Sequence, residues 1–184
     1  MAVYFNLAID CDQDENSAKE LARHFHEFTI TTERFGSLSC DSEHTLPRFY
    51  WGNRGTPSDD TYAGDWHKVC VSPSRLSMPV GETPSILDEQ NMNHVRKELY
   101  QHLQRGLELG HQFRSAFFGV EAQDQIGETD WLEEIKSMNQ TSKLRRYMEG
   151  LIFNAEVIEN ESLKIQLERF ADGYLWWNAP SRGY

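Results

Sequence analysis

The chain has 184 residues and carries 29 Asp and Glu against 18 Lys and Arg, a formal net charge of −11. That length suits one domain with a core of its own, and ten Phe, seven Tyr and five Trp supply enough apolar area to argue against disorder. An acidic excess of this size works against binding driven by phosphate neutralisation, so neither nucleic acid nor an anionic membrane surface is expected as a partner.

The first apolar run, residues 3–9, is β-rich on both faces and predicts a central strand. No basic segment leads into an apolar one at the start, and no run reaches the ~18 apolar residues of a membrane span. The expected location is the cytoplasm. A helix follows: Ser17 and Glu20 have capping-box spacing, and Leu21, Phe25 and Phe28 share one helical face. Residues 29–40 then return as strand and turn. From 41 to 82 Gly and Pro break up the pattern, and only 66–72 alternates as a strand.

The strongest helix signal comes next. Thr83–Pro84 forms an N-cap and first-turn pair, Met92, Val95, Leu99, Leu103 and Leu107 form an apolar stripe, and Gly110 stops it. Residues 113–122 predict a second buried strand. Short helices are expected after Thr129 and over 142–148, a strand over 150–155, a helix over 163–170 and a last strand over 173–179. The sum is one α+β domain over residues 1–184, a mixed or mainly antiparallel sheet of about five or six strands with helices packed on it. Cys11, Cys40 and Cys70 lie far apart with no zinc-site spacing, as reduced and mostly buried thiols would.

Candidate chemistry starts at the end of the first strand, "LAIDCDQDEN". An EF-hand loop counted from Asp10 would need Gly at its sixth position and Glu at its twelfth, and finds Glu15 and Leu21. The same stretch superficially resembles the strand-end motif of the haloacid-dehalogenase phosphotransferases, which implies Asp10 as nucleophile and Asp12 as general acid. It departs from that family at Asp14, where a hydroxyl residue is usual, and no downstream Lys or Gly-Asp element follows. A structural role fits better: Asp12 and Asp14 would accept from free amides at the helix start. The histidines read as solvated or capping groups, since His24 and His26 diverge on a helix and His94 and His102 stand too far apart to share an ion. No nucleophile elbow or phosphate loop is present. No cofactor is expected, and the balance leans away from an enzyme.

The segments "FFGVEAQDQI", "GLIFNAEVIE" and "FADGYLWWNAP" together resemble the C-terminal half of some bacterial immunity proteins, which neutralise polymorphic toxins. The likeness rests on residues 119–121, 150–152 and 173–177. It implies an inhibitor that binds a cognate, basic toxin or effector through an acidic, aromatic-bearing surface. The expected contacts are Trp51, Glu121, Asp124, Glu128, Asp130, Trp131, Glu133 and Glu134. The alternative is a small metal-assisted hydrolase or phosphatase-like enzyme using Asp10 and Asp12.

Overall fold

The computed structural model describes residues 2–33, 36–45, 67–74, 77–79, 89–120, 122, 149–158, 164 and 167–177. The first strand, β1 (Ala2–Asp10), lies mid-sheet and is apolar on both sides for that reason. Leu7 and Ile9 enter one core, while Ala8 enters a second on the opposite face. Helix α1 (Glu15–Phe25) follows, then β2 (Thr29–Thr32), β3 (Gly36–Thr45), β4 (Lys68–Pro73) and β5 (Ser77–Pro79). Helix α2 (Glu89–Glu108) leads to β6 (Ser115–Val120), β7 (Glu149–Asn154), a 3-10 turn (Ala155–Val157), β8 (Glu168–Ala171) and β9 (Tyr174–Trp177).

Eight strands run in the order β2-β3-β4-β1-β6-β7-β9-β8, and β5 pairs with the start of β1. Among the described residues every pairing is antiparallel. The α+β class is as expected, but the sheet is wider than the five or six strands predicted. The additional strands are the short β5 and β8 and the separation of β2 from β3. β8 replaces the C-terminal part of the helix expected over 163–170. Phe170 of β8 packs in the first core, and Leu167, just before the strand, packs in the second. Asp172–Gly173, with Gly173 at φ +75°, turns β8 into β9.

α1 and α2 lie against the first face of the sheet. Ala18, Leu21 and Phe25 of α1 and Val95, Leu99 and Leu103 of α2 are fully or almost fully buried there, among Leu7, Ile9, Leu38, Val69 and Val71. α2 also touches both edges of the sheet. His94 donates to the Thr31 carbonyl in β2 at 2.8 Å, and Gln104 donates to the Phe170 carbonyl in β8 at 2.7 Å. Those two side chains are separated by a helical rise of about 15 Å. α2 thus ties β2 at one edge of the sheet to β8 at the other. The same two bonds occupy carbonyls on edge strands, which would otherwise be open to pairing with another chain.

The helix ends follow their local chemistry. Asp14, not Ser17, caps α1: its carboxylate accepts from the Ser17 amide at 2.9 Å and from the Ser17 hydroxyl at 2.8 Å. Those bonds hold its pKa below the ordinary aspartate value. α2 stops at Gly110 as predicted, at φ +92°, with the His111 amide donating back to the Gly106 carbonyl and the Gly110 amide to that of Leu107. Cys11 and Cys40 are buried free thiols, and burial pushes Cys40 up to about 12. No described helix is long and apolar enough to cross a membrane.

Candidate functional site

The carboxylate turn after β1 is the first place to look for chemistry. Asp10 is 2 % exposed, and its Oδ1 accepts the Asp12 amide at 2.9 Å. Burial raises its pKa, opposed by that bond and by the charges of Arg114 and Lys68. Asp12 takes a left-handed backbone, φ +53°, and its carbonyl accepts from the His67 amide at 2.7 Å. The turn thus joins β1 to the start of β4 and delivers Asp14 to its cap. Asp14 does what the sequence predicted of it; Asp12 contributes backbone rather than a capping carboxylate. Among the described residues no three His, Cys, Asp or Glu side chains are grouped to hold a metal ion.

The histidines gather where sequence spacing separated them. His24 of α1 and His102 of α2 stack at 4.1 Å, and Phe28 covers the other face of His102 at 3.9 Å. Each histidine donates its Nε2–H to the other's backbone carbonyl, at 2.9 and 2.8 Å. The carbonyl has no proton to give, so both rings carry theirs on Nε2. The His24 carbonyl lies in the last turn of α1, where a helix lacks its own donors. Gly106 makes this approach possible, since a Cβ there would lie 3.2 Å from the His24 ring. These are interhelical clasps, a role that the expectation of solvated or capping histidines missed. A second pair, His44 and His67, shares a hydrogen bond of 2.9 Å between ring nitrogens.

One member of each pair, His102 and His44, resists protonation. Burial lowers the His102 pKa first of all, and His24 and Arg105 add to it against the bond to the His24 carbonyl. Its Nδ1 is buried with no hydrogen-bond partner, so a proton placed there would be an unsatisfied donor. His44 is lowered by burial and by His67, and also by Lys19, against Glu15. A histidine whose folded pKa lies below its unfolded value leaves stability whole above about pH 6.5 and removes it as the pH falls toward the folded value. The melting temperature is therefore expected to fall between about pH 7 and 5.5. His102→Gln, which keeps a donor but cannot titrate, should flatten that slope in a pH series of thermal melts.

The third feature is a cleft of about 370 Å³ between α2 and the β7-β9-β8 end of the sheet. Tyr100, Phe170 and Trp176 contribute aromatic surface, with ring centroids 5.8 to 6.2 Å apart. Arg96 and Lys97 come from α2, and Arg169 comes from β8. The Trp176 indole donates to Glu168 at 3.2 Å. Sequence reading singled out Trp176 as one of two neighbouring tryptophans on opposite strand faces, and it packs partly buried on the first core. It missed the cations, because Arg169 was assigned to a helix.

The expected partner contacts Trp51, Glu121, Asp124, Glu128, Asp130, Trp131, Glu133 and Glu134 all lie outside the described residues, as do the short helices predicted after Thr129 and over 142–148. No family model matches the chain, and neither the curated proteins nor the solved structures show a match.

Proposed function

We propose that this chain is an immunity or inhibitor protein that binds and neutralises a basic protein toxin or effector in the cytoplasm. The observation that carries the reading is charge placement in the sequence. Residues 121–134 hold six of the acidic side chains and no Lys or Arg, with Trp131 among them. An acidic surface accelerates encounter with a basic partner, and a tryptophan seated in a partner's pocket slows departure. The Asp10–Asp14 turn supports binding over catalysis in its own way: the Asp10 carboxylate is buried against the Asp12 amide and the Asp14 carboxylate is spent on a helix cap.

The test co-expresses this chain with any growth-arresting basic protein encoded beside it. Growth should be rescued by the wild-type chain, and the association rate should fall about tenfold or more between low and high salt. Glu133→Lys with Glu134→Lys should slow association, while Trp131→Ala should speed dissociation by about 30-fold, the equivalent of about 2 kcal/mol. Rescue and kinetics unchanged in all these variants would remove the proposed contacts. No rescue by the wild-type chain would remove the reading itself.

A further inference from the structure

We infer that the seam between α1 and α2 is a pH-operated latch. It is shut while His24 and His102 are neutral, and acid opens it at the last turn of α1 with both helices still seated on the sheet. Among the described residues, the hydrogen bonds that join the two helices are the reciprocal pair in which each histidine donates Nε2–H to the other's carbonyl. The His102 ring is held flat between two others, 4.1 Å from His24 and 3.9 Å from Phe28, at 10° to each. A second proton on His102 must go to Nδ1, which is buried and has no acceptor. Charging His24 as well sets two positive rings face to face across 4.1 Å. Swinging the rings apart into water removes both penalties. The open seam therefore binds more protons than the shut one, and acid favours opening.

The charges around the stack limit how far the opening spreads. Arg105 of α2 opposes a charge on His102, and Arg23 adds a cation to the same turn of α1 as His24. Glu20, one turn earlier in α1, lies 3.3 Å from Nδ1 of His111, which follows α2. The His111 ring is 5.6 Å from that of His24. A proton on His111 strengthens its contact with Glu20, so acid tightens the seam there while it loosens the seam at His24. Opening is thus confined to the last turn of α1 and the residues through Phe28.

Each helix has further ties to the sheet that acid leaves intact. Ser42 of β3 donates to the Ala22 carbonyl at 2.6 Å, and Ala18 and Leu21 have no exposed surface. On α2, Tyr100 donates to the Gly150 carbonyl and Gln104 to that of Phe170. His94 titrates yet keeps its bond. Its Nε2–H donates to Thr31 in either protonation state, at an exposed site where water can accept from the other nitrogen. The fall in melting temperature expected in acid belongs to the whole fold, whereas the latch opens a part of it at lower cost. It uses none of the residues proposed to contact a toxin, so it stands or falls separately.

Amide hydrogen exchange of the full chain at about pH 7 and pH 5.5, corrected for intrinsic rates, tests the latch. The probes are His26 and Phe28, whose amides donate to the Arg23 and Phe25 carbonyls, against Leu7 and Phe118 in the paired strands β1 and β6. Protection at His26 and Phe28 should stand at least about 100-fold below that of the strands and ignore low urea, as a local opening does. It should fall about tenfold more between the two pH values. His102→Gln keeps a donor and cannot titrate, so in that variant the pH effect should vanish. If the variant does not fold, the wild-type Cε1 proton of His102, stacked between two rings, should lose its ring-current shift over the same interval. Protection at His26 and Phe28 that ignores pH, or that matches the strands in size and urea response, would overturn the inference. So would a pH effect that survives in folded His102→Gln, or a ring-current shift that persists in acid.

Discussion

Gly150→Ala should lower stability by about 3 kcal/mol or more, a drop in melting temperature of about 6–12 °C for a chain of this size. Two independent costs meet at this position. The backbone sits at φ +79°, a left-handed conformation that costs an L side chain about 1–2 kcal/mol. A Cβ there would also lie 2.9 Å from the Tyr100 hydroxyl and 3.0 Å from Cε2 of its ring. Tyr100 cannot easily give way. It is buried, its hydroxyl donates to the Gly150 carbonyl at 2.8 Å, and that hydroxyl accepts from the Phe118 amide at 3.3 Å. The tyrosine thus joins α2 to β7 and β6 together, and moving it strands buried polar groups at about 1–3 kcal/mol each. A double-mutant cycle separates the two costs. In a Tyr100→Phe background the alanine keeps its backbone cost but loses part of its clash, so the two substitutions should be coupled by about 1 kcal/mol. Strict additivity in urea unfolding would show that the hydroxyl is not what the alanine meets.

The same three-way joint shows why some of this fold was legible in the sequence and some was not. β1 announced itself because a strand in mid-sheet is apolar on both faces, and α2 because Val95, Leu99 and Leu103 recur at the spacing of a buried helical face. Gly110 marked its end because a left-handed turn there favours glycine. These are local signals, carried by neighbours in the chain. β8 escapes a sequence reading because its four residues, Glu168–Ala171, are too few to show an alternation, and Leu167, three positions before Phe170, fits a helical pattern. The Asp172–Gly173 pair was the signal that should have decided it, as a two-residue turn into Tyr174. Ser17 has capping-box spacing to Glu20, yet the cap of α1 is Asp14, one of the two carboxylates expected to accept from free amides at the helix start. The sites needed tertiary information of another kind. The His24–His102 clasp unites residues 78 positions apart, and the cleft unites Arg96, Gly150 and Arg169. Neither leaves any periodicity to read, because each depends on a helix meeting elements remote in the chain.

Phe25→Ala should cost about 3–5 kcal/mol, the upper range for deletion of a buried aromatic ring. Phe25 is the last residue of α1 and has no exposed surface. Its ring meets His102 edge-on at 4.9 Å and Phe28 edge-on at 6.3 Å, so it supports from one side the stack in which His24, His102 and Phe28 lie. Removing it leaves a void between α1, α2 and the sheet, and two helices clasped by reciprocal histidine bonds have little freedom to collapse into that void. Phe28→Ala should cost less, because that ring is only half-buried and water can replace part of it. The Phe25 substitution should also change how stability depends on pH. Water admitted beside His102 can accept from Nδ1 once that nitrogen is protonated, an atom now buried without a partner, and relieves the burial that lowers its pKa. The protonated ring then becomes easier to form in the folded chain, so the loss of stability between about pH 7 and 5.5 should be shallower in Phe25→Ala than in the wild type. Urea unfolding at both pH values measures the two effects together. A large loss of stability with an undiminished pH slope would mean that His102 draws its low pKa from the neighbouring His24 and Arg105 charges and not from the packing that Phe25 provides.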